Sequence, residues 1–199
     1  MASRAAALML SMALLAPVQG PPIDLAAREQ AAMREALSAM LATPRKQPMR
    51  AGSWILHPEG FGFLIPEGMQ LQSPPRGSAV SLVSESRTSR ARANIQLAVT
   101  REDTQLHRIT EKDVEGAARL QGFARVSLVS FERIDYQGEE GLRYSFLAGR
   151  SPRMFFEVYV FNRAGKNYSL TLNVEHDLRQ METALHQFGI FRDSLFFVD

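Results

Sequence analysis

The stretch "MFFEVYVFNRAGKNYSLTLNVEHD", residues 154–177, decides the fold. Phe156, Val158 and Val160 alternate against Phe155, Glu157, Tyr159 and Phe161, so the first arm carries apolar groups on both faces. A strand of that kind sits in the middle of a sheet covered on two sides. In the second arm Tyr168, Leu170, Leu172 and Val174 face one way, and Ser169, Thr171 and Asn173 the other. "NRAGK" between them is a short glycine-containing loop that joins two antiparallel strands. The triplet Glu175-His176-Asp177 contains residue types that bind metals and move protons, but Asp177 has a simpler task. It stands where a helix starts, and its carboxylate suits the free backbone N–H groups of a first turn.

Outward from this hairpin the pattern repeats. Short alternating runs at Trp54–Leu56, Gly62–Ile65, Ala79–Ser84, Ala93–Thr100, Ala124–Asp135 and Gly141–Ala148 complete eight expected strands with Met154–Asn162 and Asn167–Val174. Two helices interrupt them. "TEKDVEGAARLQGF" opens with Thr110 and Asp113, an acidic form of the capping box, and Gly122 ends it. "DLRQMETALHQF" puts Leu178, Met181, Leu185 and Phe188 on one stripe behind Asp177. Mostly antiparallel strands with separated helices define an α+β domain, a central sheet with helices packed on its faces.

The residues ahead of Trp54 read differently. "MASRAAALMLSMALLAPVQG", residues 1–20, has Arg4 and then an uncharged apolar run, the pattern of a secretory signal or, left uncleaved, a short anchor. Residues 21–53 follow as an alanine-rich amphipathic helix, with Met33, Leu37, Met40 and Leu41 on one face, and a basic Pro/Gly linker, "TPRKQPMRAGS". The domain proper is residues 54–199, and the expected location is periplasmic or secreted.

Composition removes several chemistries. The 199 residues contain no cysteine, which excludes disulfides, thiolate nucleophiles, Cys-ligated zinc and iron–sulfur clusters. A net charge of +2 gives no basis for nucleic-acid binding. The four histidines, His57, His107, His176 and His186, form no H-E-x-x-H pair, so no metal or other cofactor is expected. Glu139 and Glu140 fall in a hairpin turn, where nothing apolar would tune them as an acid/base pair. No G-x-S-x-G elbow is present. One charged segment stands out: Arg87, Arg90 and Arg92 in "SRTSRARAN", between two strands, where they would meet an anionic partner or an anionic membrane surface.

The order of "GFGFLIPEGMQL", "NIQLAVT", the helix from Thr110, "FERIDYQGEEGLRYSF", "NRAGKNYSLTLNVEH" and "FRDSLFF" resembles the Mog/PsbP-like superfamily, over roughly Trp54 to Asp199. Met69 stands where members often carry a tryptophan after the first motif's proline. The resemblance implies an α/β/α sandwich and no shared catalytic site, since binding and assembly roles dominate the group. The expected function is therefore a non-catalytic exported accessory protein of PsbP/DcrB-like type that binds a protein partner in the cell envelope. Two alternatives remain at this point. One is a carrier of a small apolar ligand, its pocket lined by residues such as Met69, Phe123 and Met154; the other is a hydrolase or metal-dependent enzyme.

Overall fold

The computed structural model describes residues 52–84, 93–102, 104–150 and 153–198. The signal segment, the helix expected before residue 43 and the three arginines of the 87–92 segment lie outside them. Among the described residues ten strands form, two more than the sequence pattern suggests: β1 (Trp54–His57), β2 (Phe61–Leu64), β3 (Met69–Gln72), β4 (Val80–Ser84), β5 (Asn94–Thr100), β6 (Ser127–Tyr136), β7 (Glu139–Ala148), β8 (Met154–Arg163), β9 (Lys166–Glu175) and β10 (Phe196–Phe197). Between β5 and β6 lie a short 3-10 turn, Leu106–Arg108, and helix α1 (Glu111–Leu120); helix α2 (Leu178–Ser194) follows β9.

A seven-stranded sheet runs in the order β3-β4-β5-β9-β8-β7-β6, with every neighbouring pair antiparallel. β8 is interior, as its two-sided apolar pattern requires. β1 and β2 do not join this sheet; with β10 they form a separate three-stranded sheet, order β1-β2-β10. The dipeptide Phe196–Phe197 is too short to signal a strand, yet its backbone pairs with Gly62 and Phe61. A Cβ on Gly62 would run into the Phe196 ring and come within 3.1 Å of the Ile55 carbonyl, so a larger residue there requires the ring to move.

Two hairpins share one turn design. Gln137 and Gly138 join β6 to β7, Ala164 and Gly165 join β8 to β9, and all four residues have positive φ. Two central residues in the left-handed region make a type I′ turn, whose twist matches that of the flanking strands. α1 opens with the reciprocal cap expected of Thr110 and Asp113: the Thr110 hydroxyl accepts from Asp113 N–H, and the Asp113 carboxylate accepts from Thr110 N–H over 2.9 Å. Asp177 caps α2, accepting from Gln180 N–H over 3.2 Å.

The core is split between the two faces. On one, α2 and the small sheet cover Met69, Leu82, Ile95, Leu97, Tyr168, Leu170 and Leu172. On the other, α1 and the 3-10 turn cover Leu142, Tyr144, Phe146, Phe156, Val158 and Val160. The buried side of α2 runs through Met181, Ala184, Phe188 and Phe191, while Leu185, expected on that stripe, faces outward. Ala184 has no bulk, so the helix sits close over an aromatic sheet surface that larger side chains would hold away.

Candidate functional site

On the α2 face the apolar floor thins beyond β8 to Leu147 on β7 and Ile134 and Tyr136 on β6. Where β7 and β6 continue it, the side chains become Arg143, Ser145, Ser130 and Glu132. A band of alternating charge crosses this region. Glu132 Oε2 lies 3.5 Å from Arg143 Nη1, and Arg143 Nε donates to Glu157 Oε1 over 2.7 Å. The Arg143 guanidinium also stands 5.8 Å from the centre of the Tyr159 ring. Arg192, in the last turn of α2, stands 5.0 Å from that ring centre and donates through Nη1 to Tyr159 Oη over 2.7 Å. Its Nε and Nη2 reach the two Asp193 oxygens at 2.7 and 3.0 Å. Tyr136 Oη donates to the Arg192 carbonyl over 2.6 Å, tying β6 to the end of α2.

Register explains the assembly. Glu157 on β8 is paired with nothing charged along its own strand, but antiparallel pairing puts Ser145 opposite it and Arg143 one diagonal step away on β7. The Glu157 side chain is 4% exposed and the Arg143 side chain 39%. Burial pushes the Glu157 carboxyl above its usual range, against the pull of Arg143, whereas the hydrogen bond to Glu157 makes the Arg143 proton harder to remove. The partners thus point in opposite senses. The Glu157 response decides, because it is the group taken out of water. Burial also works against the Arg192 charge, but Asp193 and Tyr159 outweigh it and raise its affinity for the proton. Tyr136 is raised by burial, so its phenol stays a donor.

Ion-paired guanidiniums and a hydrogen-bonded phenol stabilise a surface and can recognise charge. They supply no nucleophile beside a base. The sequence holds a signal for this band: one glutamate inside the apolar run "MFFEVYVF" demands a cation from a neighbouring strand. Finding Arg143 requires the β7–β8 register, which the sequence does not print.

The residues singled out earlier are scattered. His57 on β1 stacks on Phe61 at 4.6 Å, and burial lowers its affinity for the proton. His107 is in the 3-10 turn, His186 on α2, and His176 in the turn after β9, where its N–H donates to the Arg153 carbonyl. Among the described residues no three His, Asp or Glu side chains are grouped to hold a metal ion. Glu139 and Glu140 open β7 and face Arg163 and Arg133, each at 3.7 Å. The three pocket candidates divide between the two faces. Met69 belongs to the core under α2, whereas Phe123 and Met154 pack with the core under α1, on the opposite face. Among the described residues no helix is long and apolar enough to cross a membrane.

This sandwich is the Mog/PsbP-like fold. The Ran-binding protein Mog1p of Saccharomyces cerevisiae superposes with a TM-score of 0.55 at 10% identity, over 76% of this chain and 97% of its own. The solution structure of cyanobacterial PsbP (CyanoP) from Synechocystis sp. PCC 6803 gives 0.51 at 14% identity, over 78% of this chain and 97% of its own. No family model matches the chain, and no curated protein matches it. At these identities the likeness establishes the fold alone.

Proposed function

We propose that this chain is a non-catalytic, exported accessory protein of the cell envelope that acts by binding another protein. The observation that carries the reading is the band Glu132–Arg143–Glu157–Tyr159–Arg192–Asp193, a patterned row of both signs on a partly exposed sheet face. Such a row reads the charge pattern of a partner and sets its orientation. The fold shared with a protein described as Ran-binding supports a binding role. Export rests on the signal-like residues 1–20. Arg87, Arg90 and Arg92, between β4 and β5 in the chain, are proposed as a second contact for an anionic partner or membrane surface.

The test is site-specific photocrosslinking in living cells at Glu132, Asp193 and Arg87, with Lys112 on α1 as the control position. The expected result is one envelope protein captured at the band and lost when Arg143→Glu reverses a charge in it. Equal capture at Lys112, or capture indifferent to Arg143→Glu, would overturn the reading. Capture at Arg87 alone would move the contact from the band to the arginine segment.

A further inference from the structure

The seven-stranded sheet ends in β6, ten residues long and, among the described residues, paired on one side only, with β7. An open strand of this length is a template for another strand unless its side chains forbid it. Those side chains forbid most registers and leave one. Two copies joined edge to edge about a two-fold axis pair residue c+k with residue c−k of the second copy, and the paired side chains lie on the same face. Centring on Glu132, Arg133 or Asp135 would place like charges directly opposite. Centring on Phe131 or earlier would run the ladder through the bulge between Leu128 and Ser130, and centring on Tyr136 or later would run it into the turn at Gln137 and Gly138. Centring on Ile134 brings Ile134 against its own copy and sets Arg133 of each strand opposite Asp135 of the other, twice.

The isolated strand has a charge imbalance that this register resolves. Asp135 lies directly opposite Glu140 on β7, a like-charge pair. The cation nearest to both, Arg133, is 3.7 Å from Glu140 and spends its guanidinium on the carbonyls of Leu106 and His107, at 3.2 and 2.9 Å. Among the described residues Asp135 receives only the Gly138 N–H, over 2.7 Å, and it stays exposed. A further cationic donor is the missing element, and the second copy's Arg133 arrives beside Asp135 with its Nε outside all of these contacts. We infer that β6 is a self-association edge, through which two copies of this chain form one continuous antiparallel sheet centred on Ile134.

Charge exchange tests this independently of folding. Sedimentation equilibrium on the full chain should show a reversible dimer. Arg133→Asp and Asp135→Arg should each weaken it by about tenfold or more, since each sets like charges opposite in both repeats. Mixing the two single variants should restore the dimer as a heterodimer, because each then supplies what the other lacks; a misfolded variant could not do so. Circular dichroism of each variant checks that the 3-10 turn held by Arg133 survives. A monomer at about 100 μM, a dimer indifferent to both reversals, or a mixture no tighter than its components would overturn the inference.

Discussion

Arg143 on β7 and Glu157 on β8 meet over 2.7 Å, and the carboxylate of the pair is the buried partner while the guanidinium reaches solvent. The pair is asymmetric in consequence. Removing the cation leaves an uncompensated charge inside the sheet, whereas removing the anion leaves an arginine that water can still solvate. Arg143→Met should therefore cost about 3 kcal/mol, and Glu157→Gln about 1 kcal/mol or less. The pH dependence separates them further. Glu157 has a raised folded value, so its contribution is fully present below the unfolded value and is lost as pH rises through the folded one. Denaturant melts across mildly acidic pH should show Arg143→Met recovering stability on acidification, as Glu157 takes up its proton.

The capping box of α1 should respond in the opposite direction. The two hydrogen bonds from Thr110 hold Asp113 below the usual carboxylate range. A depressed value contributes stability above the unfolded value and loses it as pH falls through the folded one. Thr110→Ala should cost about 1 kcal/mol at neutral pH, and less once Asp113 is protonated. Thermal melts of the variant at neutral and strongly acidic pH read both numbers.

Ala164 occupies the left-handed region at φ 49°, in a two-residue turn whose other member is glycine. Alanine is strained there and glycine or asparagine is not. Ala164→Gly should stabilise the domain by up to about 1 kcal/mol, measured as a shift of the urea midpoint at constant slope. A loss of stability would mean that the Ala164 methyl makes an apolar contact worth more than the strain.

At Gly62 the close approach is to a flat ring. Gly62→Ala should displace Phe196 and detach β10 from β2, costing about 2 kcal/mol. Hydrogen exchange at Val198, whose N–H donates to the Gly60 carbonyl, would report the detachment directly. Trimming the obstacle with Phe196→Leu in the same chain should recover part of the loss.

How far the sequence could be read follows from which forces act locally. The β8–β9 hairpin, its interior position and the caps at Thr110 and Asp177 depend on neighbours within a few residues, and all are legible. The segregation of β1 and β2 with β10 depends on a contact between Gly62 and Phe196, distant in the chain, for which no local pattern exists. The Arg143–Glu157 pair is hidden for the same reason. Each residue looks ordinary on its own strand, and only the register joins them. The grouping of Met69 with Met154 is lost for another reason: both are apolar, but strand parity sends them to opposite sides of the sheet.

β8 contributes Phe155, Tyr159 and Phe161 to one core, and Phe156, Val158 and Val160 to the other. The two compartments are otherwise covered by different helices, and β6 and β7 give the first only Ile134, Tyr136 and Leu147. This ten-residue segment is thus the main party wall of two rooms, since it alone lines both with three buried side chains each. Loosening either room moves the wall and is felt in the other, so the domain should lose both at one denaturant concentration, with no state in which one compartment outlives its neighbour.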